Sequence, residues 1–249
     1  MKFVIFSGTT EGRTLSQTLA SAGAEVKVCV ASDYGREQQG SFPRIETLTG
    51  PLSSGEKAEL LKDAVLCVDA THPYASHVTQ SVREACEAAG VRYVRLQREA
   101  GEAENAVWMD SAAQAAAYLS VREGNILLTT GAKELPAFSG IDPSRLFPRI
   151  LPSHESLSAC EAAGIPHRNI IAMQGPFTCG MNEAILRQFS ISWLVTKDGG
   201  STGGFPEKAE AAGKTGVTMI VLRRPQDYGM SYDEVLALCL ELLHNKSLC

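Results

Sequence analysis

Several signals that settle a protein's class early are missing from this chain. Only Gly8 and Gly12 stand where a G-x-G-x-x-G dinucleotide fingerprint would begin, and no Gly-Lys-Ser/Thr of a P-loop follows them. The seven cysteines are odd in number and contain no Cys-x-x-Cys, which disfavours both a disulfide framework and a zinc site. Buried thiols in a reducing cytosol fit better, and no metal centre is expected. No apolar run approaches the length of a membrane span. The run Phe3 to Phe6, ended at Gly8, is also too short for a signal-peptide core. Positive charge is not in excess, and a net charge of −5 argues against a general nucleic-acid or membrane-surface binder. It leaves room for a locally basic cleft. With 44% apolar and 20% charged residues over 249 positions, the chain reads as an ordinary cytoplasmic protein of one large or two small domains.

The first stretch organises the rest. Lys2 to Phe6 is a short apolar run of β-formers, Ser7-Gly8-Thr9-Thr10-Glu11-Gly12 is a turn, and Leu15, Leu19 and Ala22 share one face of a helix over Thr14 to Ala22. A helix N-terminus set against the end of a buried strand is a ready anion site. Gly8 would let a phosphate approach the backbone, and the hydroxyls of Thr9 and Thr10 could bond it. A second strand, Ala24 to Ala31, ends at Asp33. An acidic residue there holds ribose hydroxyls in nucleotide-binding α/β folds. Arg36 could instead meet a 2′-phosphate, and a plain turn or cap role for Asp33 is equally open.

Further strands are expected at Arg44 to Leu48, Ala64 to Ala70 and Val91 to Leu96, with helices at Ser53 to Lys62 and Ser76 to Ala89. Five strands alternating with helices imply a parallel sheet, whose ligands lie outside the strands' carboxyl ends. Thr71-His72-Pro73-Tyr74 sits at one such end and offers a titratable ring and an aromatic hydroxyl. It also reads as a simple helix-start turn.

Polar residues from Gln97 to Asn105 suggest a boundary between domains 1–97 and 98–249. A second α/β series follows, including a strand at Arg145 to Leu151, and closes with a helix near Tyr232 to His244. Three of its strands end in polar, glycine-bearing turns: Thr130-Gly131-Ala132-Lys133, Met173-Gln174-Gly175-Pro176 and Thr196-Lys197-Asp198-Gly199-Gly200. Gly203 and Gly204 extend the last of these. So much glycine is costly unless a ligand or a second backbone must come close. A lysine beside such a loop reads as an anion contact or as a solvated charge.

Taken together, Gly8-Thr-Thr-Glu-Gly12, Thr71-His-Pro-Tyr-Ala75, Leu128-Thr-Thr-Gly-Ala-Lys133, Met173-Gln-Gly-Pro-Phe177 and Thr196-Lys-Asp-Gly-Gly200 with Glu207-Lys208 resemble the precorrin-6A reductase family of cobalamin biosynthesis. Gly199 departs from that pattern, where a serine is expected. The resemblance implies two Rossmann-like three-layer α/β domains with a cleft between them; monomer and homodimer both stay open. It implies NADH- or NADPH-dependent reduction of one double bond in an anionic tetrapyrrole-derived ring, with or without cobalt. Gly8, Thr9, Thr10 and Glu11 would then lie in the cofactor's phosphate turn, and Asp33 leans the choice toward NADH. His72 and Tyr74 are the candidate proton donors, and Lys133, Gln174, Lys197 and Lys208 the candidate substrate contacts. Two other classes compete: a nucleotide-dependent methyl- or glycosyltransferase, which should not bind nicotinamide, and a non-catalytic NAD(P) sensor, which would not need the lysine-bearing loops.

Overall fold

The computed structural model describes residues 1–97, 103, 106–200, 204–225 and 228–245. Most of the expected boundary segment and Gly203 of the glycine loop lie outside those residues. The chain divides into two compact units, Met1–Glu99 with Pro225–Cys249, and Ala100–Arg224.

The first unit is a parallel sheet built on β1 (Lys2–Ser7), β2 (Glu25–Val30), β3 (Ile45–Thr49), β4 (Ala64–Ala70) and β5 (Tyr93–Arg95), in the order β3-β2-β1-β4-β5. The helices are α1 (Thr10–Ser21), α2 (Asp33–Gln39), α3 (Ser54–Leu61) and α4 (Ser76–Ala89). The alternation of side chains along a strand explains the layering. Phe3 and Ile5 of β1 pack with Leu15 and Leu19 of α1, whereas Val4 and Phe6 pack with Leu61 of α3 and Val82 of α4. Both faces are apolar because both are covered.

The second unit repeats the plan. Its strands are β6 (Val107–Met109), β7 (Asn125–Leu128), β8 (Leu146–Ile150), β9 (Ile171–Ala172), β10 (Ile191–Lys197) and β11 (Thr218–Leu222), in the order β6-β11-β10-β7-β8-β9, every pair parallel. Its helices are α5 (Ala112–Ser120), α6 (His154–Ala162), α7 (Cys179–Gln188) and α8 (Phe205–Thr215). Ile126 and Leu128 meet α5 and α6, and Leu127 between them meets α7 and α8.

Two expectations change. The helix after β1 starts at Thr10 rather than Thr14, because Thr9 caps it by accepting the Gly12 N–H. The segment after Arg224, expected in the second domain, belongs to the first unit. There Met230 donates to the Arg95 carbonyl at 2.9 Å, and Gln97 donates back to Met230 at 2.8 Å. A Cβ on Gly229 would lie 2.5 Å from that Arg95 carbonyl, so the returning strand can approach only as glycine. Val235 and Cys239 of α9 (Tyr232–Asn245) then fill the core that α1 leaves open. The six cysteines among the described residues are unbridged and five are buried, in keeping with structural thiols.

Candidate active site

Parallel sheets open a ligand crevice where adjacent strands send their connections to opposite sides. In the first sheet that point is between β1, which continues to β2, and β4, which continues to β5. In the second it is between β7, which continues to β8, and β10, which continues to β11.

At the first crevice Thr9 is committed to the chain. Its hydroxyl accepts from Gly12 at 3.1 Å and donates to the Ala70 carbonyl at 3.0 Å, which ties the β1 turn to the end of β4. It therefore has no proton left for the phosphate it was expected to meet. Gly12 is a packing glycine: a Cβ there would stand 2.6 Å from Ser7 Oγ and 2.8 Å from Ala70 Cβ. Gly8 differs. It is exposed, and an added Cβ would meet nothing nearer than the His72 backbone nitrogen at 3.9 Å. That open space over the turn fits the close approach of a dinucleotide pyrophosphate. Thr10 is exposed and Glu11 half-buried in the first turn of α1. Asp33 is exposed at the carboxyl end of β2, the neighbouring strand, and begins α2 behind a Ser32 cap.

The β4 side of this crevice rests on a buried ion pair. Arg95 on β5 donates to Asp69 on β4 at 2.8 Å, with side-chain exposures of 2% and 0%. Asp69 also accepts the Thr71 N–H at 3.0 Å and the Tyr93 hydroxyl at 3.0 Å, while Arg95 donates to the Thr71 hydroxyl at 3.0 Å. Burial, and then the Asp69 charge, push the Tyr93 phenol well above its ordinary pKa. The network fixes Thr71, and with it the turn that follows. His72 is exposed and Tyr74 half-buried there, with their rings 5.5 Å apart and the Tyr74 N–H directed at His72 Nδ1 at 3.4 Å.

At the second crevice Lys197, the last residue of β10, meets Glu134 across the switch point at 2.7 Å. Asp198 pairs with Arg224 at 2.9 Å and accepts the Gly200 N–H at 3.2 Å, closing the turn where Gly200 takes a φ of 69°. Thr130 is buried, and its hydroxyl has no partner among the described residues. Lys133 is exposed on the 3-10 helix Ala132–Phe138, and Gln174 is exposed after β9. Lys208 is not at the surface: it is 9% exposed and donates to the Thr196 hydroxyl at 3.1 Å. Arg149 on β8, which the sequence reading passed over, is 8% exposed. It donates to Asn182 at 2.8 Å and stacks over the Phe177 ring at 3.9 Å. The available signal was a charged residue within the otherwise apolar strand Leu146-Phe-Pro-Arg-Ile150.

A family model for precorrin-6x reductase CbiJ/CobK matches residues 2–240. The chain belongs to this family. The cobalt-precorrin-6A reductase of Methanothermobacter thermautotrophicus is 32% identical to it over 233 residues, 91% of this chain and 77% of that protein. The one from Methanococcus maripaludis is 31% identical over 243 residues, 95% and 96% of the two chains. The precorrin-6A reductase of Rhodococcus erythropolis is 30% identical over 233 residues, 90% and 89%. The solved structure of CobK precorrin-6A reductase shares the fold, with a TM-score of 0.76 over 97% of each chain at 23% identity. Family and fold thus agree with the resemblance carried by the strand-end motifs. Within this CbiJ/CobK fold, Gly8, Thr10, Glu11, Asp33, His72 and Tyr74 belong to the first unit, and Lys133, Gln174, Lys197 and Lys208 to the second.

Proposed function

We propose that this chain is an NAD(P)H-dependent reductase that reduces one double bond of precorrin-6A or cobalt-precorrin-6A in cobalamin biosynthesis. The observation that carries the reading is the family match over residues 2–240. The open turn at Gly8 supports a nicotinamide dinucleotide held in the first unit, with Thr10 and the first turn of α1 near its pyrophosphate and Asp33 near a ribose. When bound, the nicotinamide supplies the hydride.

The rest falls to the chain. Its tasks are to hold a polycarboxylate ring still and to furnish one proton for each hydride taken up. Lys133, Gln174, Lys197 and Lys208 bind the substrate's carboxylates. His72 and Tyr74 are the proton source, and the ion pair beneath Thr71 keeps their turn in place.

The test supplies NADH and NADPH separately with precorrin-6A and cobalt-precorrin-6A, and follows nicotinamide oxidation. Oxidation that depends on a macrocycle is expected with at least one pair, with NADH favoured. Nicotinamide binding without macrocycle-dependent oxidation would make the chain a sensor. No nicotinamide binding would return it to a transferase.

A further inference from the structure

Burying an arginine or a lysine is costly unless an anion accompanies it. In the first unit Arg95 has Asp69. In the second unit Arg149 and Lys208 are both more than nine-tenths buried, and among the described residues neither has a carboxylate within ion-pair distance.

The sheet register brings them together. Leu128 pairs with Pro148 on one side and Val195 on the other, so Arg149 and Thr196 stand one rung further on, at the carboxyl end. Alternation puts both on the face of Phe147 and Leu194, the face that α7 and α8 cover. Asn182 comes from the first turns of α7 and Lys208 from the first turn of α8. They close over this rung: Asn182 receives Arg149, and Lys208 reaches Thr196. Lys208 lies in the first turn of α8, whose N-cap Gly204 makes no side-chain cap.

The two cations act on each other. Burial, and then the Arg149 charge, bring the Lys208 ammonium down to about 8, with Glu207 opposing. Burial lowers the Arg149 guanidinium to about 10. Arg149 offers five N–H donors, of which one bond, to Asn182, is made. Its Nε and Nη2 make no hydrogen bond among the described residues. The Phe177 ring stacks on the face of the guanidinium, and a ring on the face leaves the N–H edge as the direction for further bonds.

We propose that Arg149 and Lys208 form a buried oxyanion subsite in the second unit that takes one side-chain carboxylate of the macrocycle, Arg149 through its fork and Lys208 as a point charge. This rests on the reductase reading for the identity of the ligand. Phe177 belongs to the turn that carries Gln174, one of the expected substrate contacts.

The full-length chain is titrated with uroporphyrin, an octacarboxylate tetrapyrrole, following the fluorescence of Trp108 and Trp193, both in the second unit. NADH and NADPH are titrated in parallel. Arg149→Met and Lys208→Met remove the charge and keep much of the volume, and Arg149→Lys keeps the charge without the fork. Each Met variant should bind the porphyrin about tenfold more weakly, since a charge-assisted bond is typically worth that much or more. Its melting temperature should hold or rise, and its NADH and NADPH affinities should not change. Arg149→Lys should recover part of the loss. Unchanged porphyrin affinity in both Met variants overturns the subsite. A loss confined to the nicotinamides overturns the carboxylate assignment, because the oxyanion is then a cofactor phosphate. Porphyrin binding that depends on Arg149, in a wild type that oxidises no nicotinamide with either precorrin, removes the reductase reading and leaves the subsite standing.

Discussion

Arg95 and Arg149 occupy matching places, each near the carboxyl end of a strand one removed from its sheet's switch point, and each almost fully buried. Arg95 is neutralised by a carboxylate that also accepts from the Thr71 N–H and the Tyr93 hydroxyl. Arg149 has an amide oxygen and an aromatic face. The first arrangement is complete, and its work is to hold the turn from Thr71 to Tyr74. The second is incomplete as a set of charges, which suits a place where an anion arrives from outside. Whether a buried cation is scaffold or receptor thus turns on its counter-ion, not on its burial.

The sharpest way to break the comparison is Asp69→Ala. It leaves Arg95 buried and uncompensated, which costs about 3–5 kcal/mol of stability. Arg149→Met removes a charge that has no carboxylate to strand, so it should be neutral or stabilising. Denaturant unfolding followed by circular dichroism compares the two variants, with tryptophan fluorescence reporting the second unit alone. Equal losses would make Arg149 scaffold too.

Lys208 tests the same idea through pH. Its ammonium is lowered from 10.5 to about 8 by burial first and by Arg149 second, against Glu207. Between those values the unfolded chain carries the extra proton, so stability rises with pH across that window. Below it both states are protonated and the cost of burial is fully present. At about 1.4 kcal/mol per unit, that cost is on the order of 3 kcal/mol. Lys208→Met should therefore be more stable than the wild type near neutral pH and should lose the rise. A wild type whose denaturation midpoint is flat from pH 8 to 10.5 would contradict the burial of a charged Lys208.

Lys197 is the balanced case within the second unit, held by Glu134. Its side chain is 22% exposed, so the pair adds little to stability, roughly 0–1 kcal/mol. As a substrate contact it is worth about 1.5–3 kcal/mol. Lys197→Ala should lower kcat/KM roughly 10- to 100-fold. The loss should fall on the macrocycle, with nicotinamide affinity and melting temperature kept. A normal rate would leave Lys197 with its ion pair to Glu134 and no part in substrate binding.

The glycines of the first turn divide in the same manner. Gly12→Ala forces a Cβ against Ser7 and Ala70 and should cost about 1–3 kcal/mol of stability. At Gly8 the added Cβ meets no such obstacle, and Gly8→Val should leave the melting temperature alone. Its effect should be a loss of nicotinamide affinity of about tenfold, ~1.4 kcal/mol. A Gly8→Val chain that binds both nicotinamides normally would move the cofactor away from this turn.

Much of this architecture was legible because parallel strands buried on both faces read as unbroken apolar runs. Ala64 to Ala70 and Ser76 to Ala89 were bounded to the residue. The motifs at strand ends were legible for the same reason, since polar residues directly after such a run must lie at the ligand-facing edge. Pairings between distant residues were not. Asp69 is a charge inside the apolar strand Ala64–Ala70, but its partner Arg95 lies 26 positions away. Arg149 gives the same signal and has no charged partner among the described residues. The helix α2 was hidden because Asp33 to Gln39 has Tyr34 but no apolar stripe, and it is held by its Ser32 cap. The return of α9 to the first unit is a tertiary choice, made by the fit of Gly229 against Arg95 and by the apolar side of α9.

The smallest expected effect belongs to Asp33. Ser32, not Asp33, is the cap of α2, and Asp33 is the first residue of the helix. Its carboxylate near the helix's positive end is worth about 0.3–1 kcal/mol. Asp33→Asn should therefore cost less than ~1 kcal/mol of stability. At the carboxyl end of β2, beside the strand that carries Gly8, the same carboxylate would accept bonds from ribose hydroxyls and repel a 2′-phosphate. Between exposed charges that repulsion is about 1 kcal/mol, a factor of about five in affinity. The wild type should then prefer NADH by roughly that factor, and Asp33→Asn should bring the two affinities together mainly by improving NADPH. Arg36, exposed one helical turn further on, supplies the opposite pull. If the wild type prefers NADPH, and Arg36→Ala abolishes the preference where Asp33→Asn does not, the ribose end of the site is read by the arginine and Asp33 is left with its place in the helix dipole.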